Sequence, residues 1–316
     1  MPFPTDEVIM QTGRDLVAQL QAIFGQHPGL RPAHAKGLLL SGTFTPSHLA
    51  STLSVAPHFN APTTPIVVRF SNSTGIPNIP DTDPNADPRG MAVRFNYGER
   101  KHTDIVAHST PSFPVRTGAE FLEFLKAIAA SSSAGGTQSP SPVEKFVAAH
   151  PSALAFVQTP KPAPTSFAKE KYFGVTAFKL VDAGGKETFI RYQIVPDLGV
   201  ETLSEEEKAK LGPDYLFDEV AARVSEGPFS FRLLAQIAEE GDVTDDATML
   251  WPETRRVVEL GVIRLEEVVK ENAKEQKYII FDPIPRVAGV EPSDDPLLEM
   301  RAAVYLISGK QRRAAA

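Results

Sequence analysis

The sequence predicts an α+β fold: an antiparallel eight-stranded β-barrel with helices around it. About eight short runs have strand character, and eight strands are enough to close a barrel. Asp182-Ala183-Gly184-Gly185-Lys186, between two of these runs, is a hairpin turn that pairs them antiparallel. The runs form two groups separated by helical stretches, and the 28 prolines of the chain are spread among them, as many short strands joined by turns require.

Residues 8–24 have helical periodicity: Val8, Leu16, Leu20, Ile23 and Phe24 share a face, and Gly25 suits the stop. Strands are expected over 37–44, 65–71, 91–95 and 103–107, with a long proline- and aspartate-rich loop over 72–90. Thr117 and Glu120 have capping-box spacing ahead of Phe121-Leu122-Glu123-Phe124-Leu125, so a helix is expected from there to about Ala130. Residues 131–140 read as a Ser/Gly/Pro linker, and Ser141-Pro142-Val143-Glu144 opens a short helix. The second group of strands covers 173–181, 187–195, 229–237 and 257–268, with a polar helix beginning at Ser204. The last element is a helix over 296–308, with Asp295 as N-cap, Pro296 at the first helical position and Gly309 after it.

With 316 residues, 42% of them hydrophobic, the chain is long enough to bury a large core. The two strand groups are too alike to justify a cut, so a single domain over 1–316 is expected, with 1–29 as an N-terminal helix or arm and 30–313 as the core. Acidic residues exceed basic ones, 39 against 32, and there is no basic tract, which argues against nucleic acid as a partner. No window approaches the length of a membrane span. Residues 1–25 lack the charged start and apolar core of a secretory leader, and the absence of cysteine removes disulfides, thiolate ligands and a cysteine nucleophile; a cytoplasmic setting fits. There is no glycine-rich phosphate loop, no His-x-x-x-His pair and no Gly-x-Ser-x-Gly elbow.

The chemistry-bearing stretches are elsewhere. Arg301 and Tyr305 stand four apart in the last helix, so their side chains share one face. A guanidinium beside a phenol favours the phenolate, and tyrosine is a proximal ligand of haem iron. On its own such a pair is usually a surface contact. Arg31-Pro32-Ala33-His34-Ala35-Lys36-Gly37 places a histidine before a strand. Val68-Arg69-Phe70-Ser71 sets an arginine in an apolar strand, where it needs an anionic partner, either a carboxylate of the protein or one on a ligand. Asp87-Pro88-Arg89-Gly90 reads as a turn, and Asp104 to Pro111, followed by Phe113, closes the set.

Taken in order, these stretches resemble the haem catalases. Further matches are Phe178-Lys179-Leu180-Val181, Trp251-Pro252, Phe281-Asp282-Pro283, Gly289 to Ser293, and Arg301 to Tyr305 with Arg312 seven residues on. The resemblance covers about residues 30–313 and implies the catalase-like barrel with a haem pocket. The chain is much shorter than a full catalase and is similar to the small catalase-related peroxidases.

The resemblance implies haem b as cofactor, with Tyr305 as the iron ligand and Arg301 holding it. It implies His34 as the distal acid–base group, with Ser71 fixing its ring. Arg31, Arg69 and Arg312 match the arginines that bind the haem propionates, which suits two buried carboxylates. Phe113 and Phe121 match aromatic residues walling the distal side, with Phe121 against the ring. One position departs: where catalases have a distal asparagine this chain has His108, followed by Ser109. The implied activity is reduction of hydrogen peroxide or organic hydroperoxides by a small organic electron donor, with weak catalase turnover and His108 as a catalytic candidate. A fatty-acid hydroperoxide lyase or isomerase, a non-enzymatic haem-binding protein, and a barrel without haem are the other readings; a monomer or small homo-oligomer is expected.

Overall fold

The computed structural model describes residues 4–99, 101–133 and 139–315. Its strands are β1 (Gly37–Pro46), β2 (Thr64–Ser71), β3 (Gly90–Asn96), β4 (His102–His108), β5 (Tyr172–Phe173), β6 (Phe178–Val181), β7 (Glu187–Pro196), β8 (Phe229–Ile237), β9 (Val257–Val268) and β10 (Val290–Pro292). Its helices are α1 (Glu7–Phe24), α2 (His48–Leu53), α3 (Pro57–Asn60), α4 (Gly118–Ser133), α5 (Pro142–Ala149), α6 (Pro151–Gln158), α7 (Glu205–Lys208), α8 (Tyr215–Glu226), α9 (Asn272–Tyr278) and α10 (Pro296–Ala314). No helix among the described residues is long and apolar enough to cross a membrane.

The strands run β1-β2-β3-β4-β5-β7-β8-β9 and back to β1, a closed antiparallel barrel of eight. β6 and β10 extend from β7 outside it. The period-two alternation of a strand sorts its side chains between the two faces. Ile66, Val68 and Phe70 of β2, Met91, Val93 and Phe95 of β3, and Ile105 and Ala107 of β4 join Phe44, Phe231 and Ile263 in one buried cluster. The alternate residues, Arg69, Ser71, Gly90, Ala92, Val106 and His108, face outward into a cavity closed by Leu20 of α1 and by Val304, Tyr305, Ser308 and Arg312 of α10. The site therefore lies between the outer wall of the barrel and its helices.

The single strand expected over 173–181 is broken at 174–177. Both pieces lie along β7, but β5 joins β4 and closes the barrel while β6 takes β10 as its other neighbour. Thr176 and Ala177 are buried in the gap. Thr117 and Glu120 form the expected reciprocal cap, and the helix they start runs to Ser133 rather than Ala130. Of the expected linker, 131–133 are therefore helical, and 134–138 lie outside the described residues. The last helix does not stop before Gly309; α10 continues to Ala314. Gly309 is a packing glycine, because a Cβ there would overlap Ile280 Cδ1. Periodicity does not reveal α2, α3, α6, α8 or α9. Most are short, and neither α8 nor α9 has a side-chain cap to mark its start.

Phe70 is fully buried against the rings of Phe167, Tyr172 and Phe231, with centroids at 5.2, 6.0 and 6.1 Å. Phe70→Ala should destabilise the barrel by about 3–5 kcal/mol in urea unfolding followed by circular dichroism. A loss below about 1 kcal/mol would mean that this ring cluster does not hold the strands.

Candidate active site

Strand register assembles the barrel side of the site. Ser71 pairs with Gly90 and Gly90 with His108, so three strands place these residues in one row. Arg69, Ala92 and Val106 form the next outward-facing row. Gly90, in the middle of the first row, has no side chain. A Cβ there would lie 2.7 Å from Ser71 Oγ and 3.0 Å from His34 Nδ1, so only glycine leaves room for the imidazole. The sequence signal was Asp87-Pro88-Arg89-Gly90, which reads as an ordinary turn.

His34 enters this slot from the segment before β1. Its backbone is left-handed, φ 56°, a conformation that non-glycine residues adopt at a cost of about 1–3 kcal/mol and that surrounding bonds must hold. The His34 N–H donates to the Ser73 carbonyl at 2.9 Å, and Ala35 N–H to Thr74 at 2.9 Å. His34 Nδ1 is 3.0 Å from Ser71 Oγ, and the ring also meets the Asn72 backbone. Ser71 thus engages Nδ1, and Nε2 has no hydrogen-bond partner among the described residues. Burial, then His108, Arg69 and Arg31, hold this imidazole well below the usual histidine range. His108 is pushed down to about 3, by burial first and then by Arg301. Both rings line the cavity as neutral bases, their centroids 5.4 Å apart.

Three arginines converge at one end of the cavity. Arg31 donates to the carbonyls of Gln276 (3.1 Å) and Ile279 (3.0 Å). Arg69 donates to the Gln276 side-chain oxygen (2.8 Å) and the His34 carbonyl (2.8 Å). Arg312 donates to the carbonyls of Lys277 (3.3 Å) and Ile279 (2.8 Å) and to Ser308 Oγ (3.2 Å). Every one of these acceptors is neutral, and among the described residues no carboxylate lies within ion-pair distance of the three. Burial first, and their mutual repulsion after it, depress Arg31 strongly and bring Arg69 to about 9. Arg312 falls to about 10 through burial and then Arg313. A site with this charge selects an anion.

α10 supplies the opposite wall. Asp295 caps it, accepting from Leu297 N–H at 2.9 Å, and the helical period sets Arg301 beside Tyr305. Arg301 Nε and Nη2 each lie 3.4 Å from the Tyr305 hydroxyl. Tyr305 lines the cavity and Arg301 stands behind it. The space between these walls is about 710 Å³, open solvent included.

The other candidates divide. Ser109 is not at the site: its hydroxyl accepts from Arg89 N–H at 2.9 Å and its own N–H donates to the Arg89 carbonyl. Arg89, 1% exposed, donates to Asn72 Oδ1 (2.6 Å) and the Asp81 carbonyl (2.7 Å), and so pins the loop behind His34. Phe113 and Phe121 pack on each other at 5.0 Å but are not among the cavity-lining residues. Phe121 sits with Leu16, Leu20, Leu125 and Met300, and Phe113 with Val175, Ala247 and Leu297. Sequence reading missed α9, whose Gln276 supplies a carbonyl to Arg31 and an amide oxygen to Arg69. No motif marks it.

The chain matches the family model described as Catalase over residues 19–315. It is 36% identical over 291 residues to the "Catalase-related peroxidase" of Mycolicibacterium paratuberculosis (strain ATCC BAA-968 / K-10), covering 91% of this chain and 90% of that protein. It is 30% identical over 304 residues to the "Catalase-related peroxidase" of Synechococcus elongatus (strain ATCC 33912 / PCC 7942 / FACHB-805), covering 95% and 88%. In fold it is similar to a fungal catalase (TM-score 0.80, 23% identity, 94% of this chain) and a bacterial catalase (0.78, 23%, 98%), spanning 62% of the length of each.

The neutral histidines make stability depend on pH. His108, with an ordinary value of 6.5 and about 3 in the fold, takes up a proton on unfolding between those values. Its stabilisation is complete above 6.5 and is lost as pH falls towards 3. Unfolding free energy should therefore drop with acidification, and in His108→Asn the slope between pH 6.5 and 4.5 should be shallower by up to about 1.4 kcal/mol per pH unit, one proton's worth. Equal slopes in urea unfolding would show that His108 is not held neutral.

Proposed function

This chain belongs to the catalase family, and from there we propose that it is a haem-dependent peroxidase reducing hydrogen peroxide or organic hydroperoxides with a small organic electron donor. It is an oxidoreductase acting on peroxide. What carries the haem reading is the charge of Arg31, Arg69 and Arg312, whose hydrogen bonds among the described residues all go to neutral oxygens. Two propionates of haem b are the dianion this cluster lacks. With them on the arginines, the Tyr305 hydroxyl would hold the iron and Arg301 would orient that oxygen.

Bound there, haem supplies an iron centre that passes two electrons from donor to peroxide. The balance is one hydroperoxide, two electrons and two protons to one alcohol (water from hydrogen peroxide) and one water, with the electrons drawn from two donor molecules. With haem and hydroperoxide bound, His34 Nε2 would take up the hydroperoxide proton, which goes on to the leaving oxygen. Ser71 holds the ring through Nδ1 and leaves Nε2 for this proton. Gly90 keeps the imidazole in the row. Catalase turnover needs a second hydrogen peroxide oriented on the distal side. At the position matching the distal asparagine, His108 supports weak turnover of that kind.

The reading is tested on purified protein. A Soret band with ferric-phenolate features is expected, and Tyr305→Phe should lose it; full haem loading in that variant would remove Tyr305 as the ligand. His34→Ala should keep haem while peroxide reactivity falls by about 100-fold or more. Oxygen evolution from hydrogen peroxide at rates near those of full-length catalases would contradict the peroxidase assignment, and rearrangement of a lipid hydroperoxide without donor would favour a lyase.

A further inference from the structure

The distal wall carries two imidazoles where one suffices for a single acid–base group. His34 is held on its Nδ1 side by Ser71 Oγ at 3.0 Å. His108 is different. It ends β4 in the Ser71–Gly90–His108 row, it lines the cavity, and among the described residues no protein group hydrogen-bonds its ring. The adjacent Ser109 cannot replace it, being tied to the Arg89 backbone. The glycine between the strands leaves the two rings facing each other, centroids 5.4 Å apart and planes at 38°. One ring is thus tied by a hydrogen bond and, among the described residues, the other is not.

We propose that His108 is a second catalytic residue on the hydroperoxide: its basic ring nitrogen takes over the proton that His34 draws from the hydroperoxide and delivers it to the leaving oxygen. The inference rests on the reading of the cavity as a haem site. A neutral imidazole carries one donor and one basic acceptor, whereas a carboxamide donates but does not take up a proton. An asparagine here could only orient the peroxide. The exchange balances: the O–O bond breaks with its electron pair on the outer oxygen, that oxygen receives the hydroperoxide's own proton by way of His34 and then His108 and leaves as alcohol, both rings end neutral, and the two electrons are those the donor supplies through the haem. The charged or titratable groups acting on the pair are Arg31, Arg69 and Arg301, and all three disfavour a lasting positive charge on either ring. Each proton is therefore passed on rather than stored.

The test uses haem-loaded ferric protein and potassium cyanide, because hydrogen cyanide binds iron as the anion and must leave its proton on a distal base. With two interchangeable bases, His34→Ala and His108→Asn should each weaken cyanide binding by no more than about 10-fold, while the double variant loses about 1000-fold, more than the product of the two. In His108→Asn the ratio of oxygen evolution to donor oxidation should also rise at least about 10-fold, as the amide returns. A His34→Ala variant as weak as the double variant, or a His108→Asn variant indistinguishable from the parent in cyanide affinity and in that ratio, overturns the proposal. His108→Gln, an amide of different reach, repeats the comparison if the asparagine variant does not fold; it too should weaken cyanide binding, and parental affinity there counts against the proposal. Cyanide binding needs no donor, so this result separates from the peroxidase reading; a parent protein without a Soret band ends both.

Discussion

Arg31, Arg69 and Arg312 bring three guanidiniums into a space where their protein partners are carbonyl, amide and hydroxyl oxygens. Such a cluster repels itself and is poorly solvated. It persists because three separate pieces of scaffold hold it: the segment before β1, the outward face of β2, and the last turns of α10. The short helix α9 is what joins them. Its final residues present carbonyls that meet Arg31 and Arg312, and its Gln276 side chain reaches Arg69. The protein therefore organises positive charge it does not neutralise, and that charge dictates the kind of molecule the cavity accepts.

The histidines depend on a different constraint, the register of β2, β3 and β4. Antiparallel pairing puts Ser71, Gly90 and His108 in a line, and the missing side chain at its centre is what lets His34 approach Ser71. A shift of one residue in β3 would replace that gap by a side chain and turn the row to the other face. The left-handed backbone at His34 is the local strain that this approach requires. It is held by bonds to residues 73 and 74, and the loop carrying them is anchored by Arg89 on Asn72 and Asp81.

The helical side uses small residues for the same end. Gly13 of α1 meets Ala303 of α10, a Cβ at Gly13 lying 3.1 Å from that of Ala303, and Gly309 lets α10 lie against Ile280. The second contact matters for function as well as packing. Because α10 does not stop at Gly309, its period carries Arg312 onto the cavity wall with Tyr305 and Ser308.

Much of this was legible in the chain. Period-two alternation, hairpin and capping signals define the barrel strands and the first and last helices, since these depend on neighbours a few residues away. The candidate site residues His34, Ser71, Arg31, Arg69, Arg301, Tyr305 and Arg312 stand in short stretches whose order, through its resemblance to a known family, picks them out before any contact is known. Their convergence is not a local property. Whether Gly309 ends a helix or packs it, whether residues 173–181 are one strand or two, whether His108 or Ser109 meets the cavity, and whether Phe113 and Phe121 reach it are all settled by long-range packing, which no window of sequence contains. The same holds for Gly90, a turn residue in sequence and the slot for an imidazole in space, and for α9, which bears no motif. The chain by itself determined which side chains were available for chemistry; only the closing of the barrel against α1 and α10 decided which of them share one cavity, because that choice belongs to contacts between residues up to hundreds of positions apart.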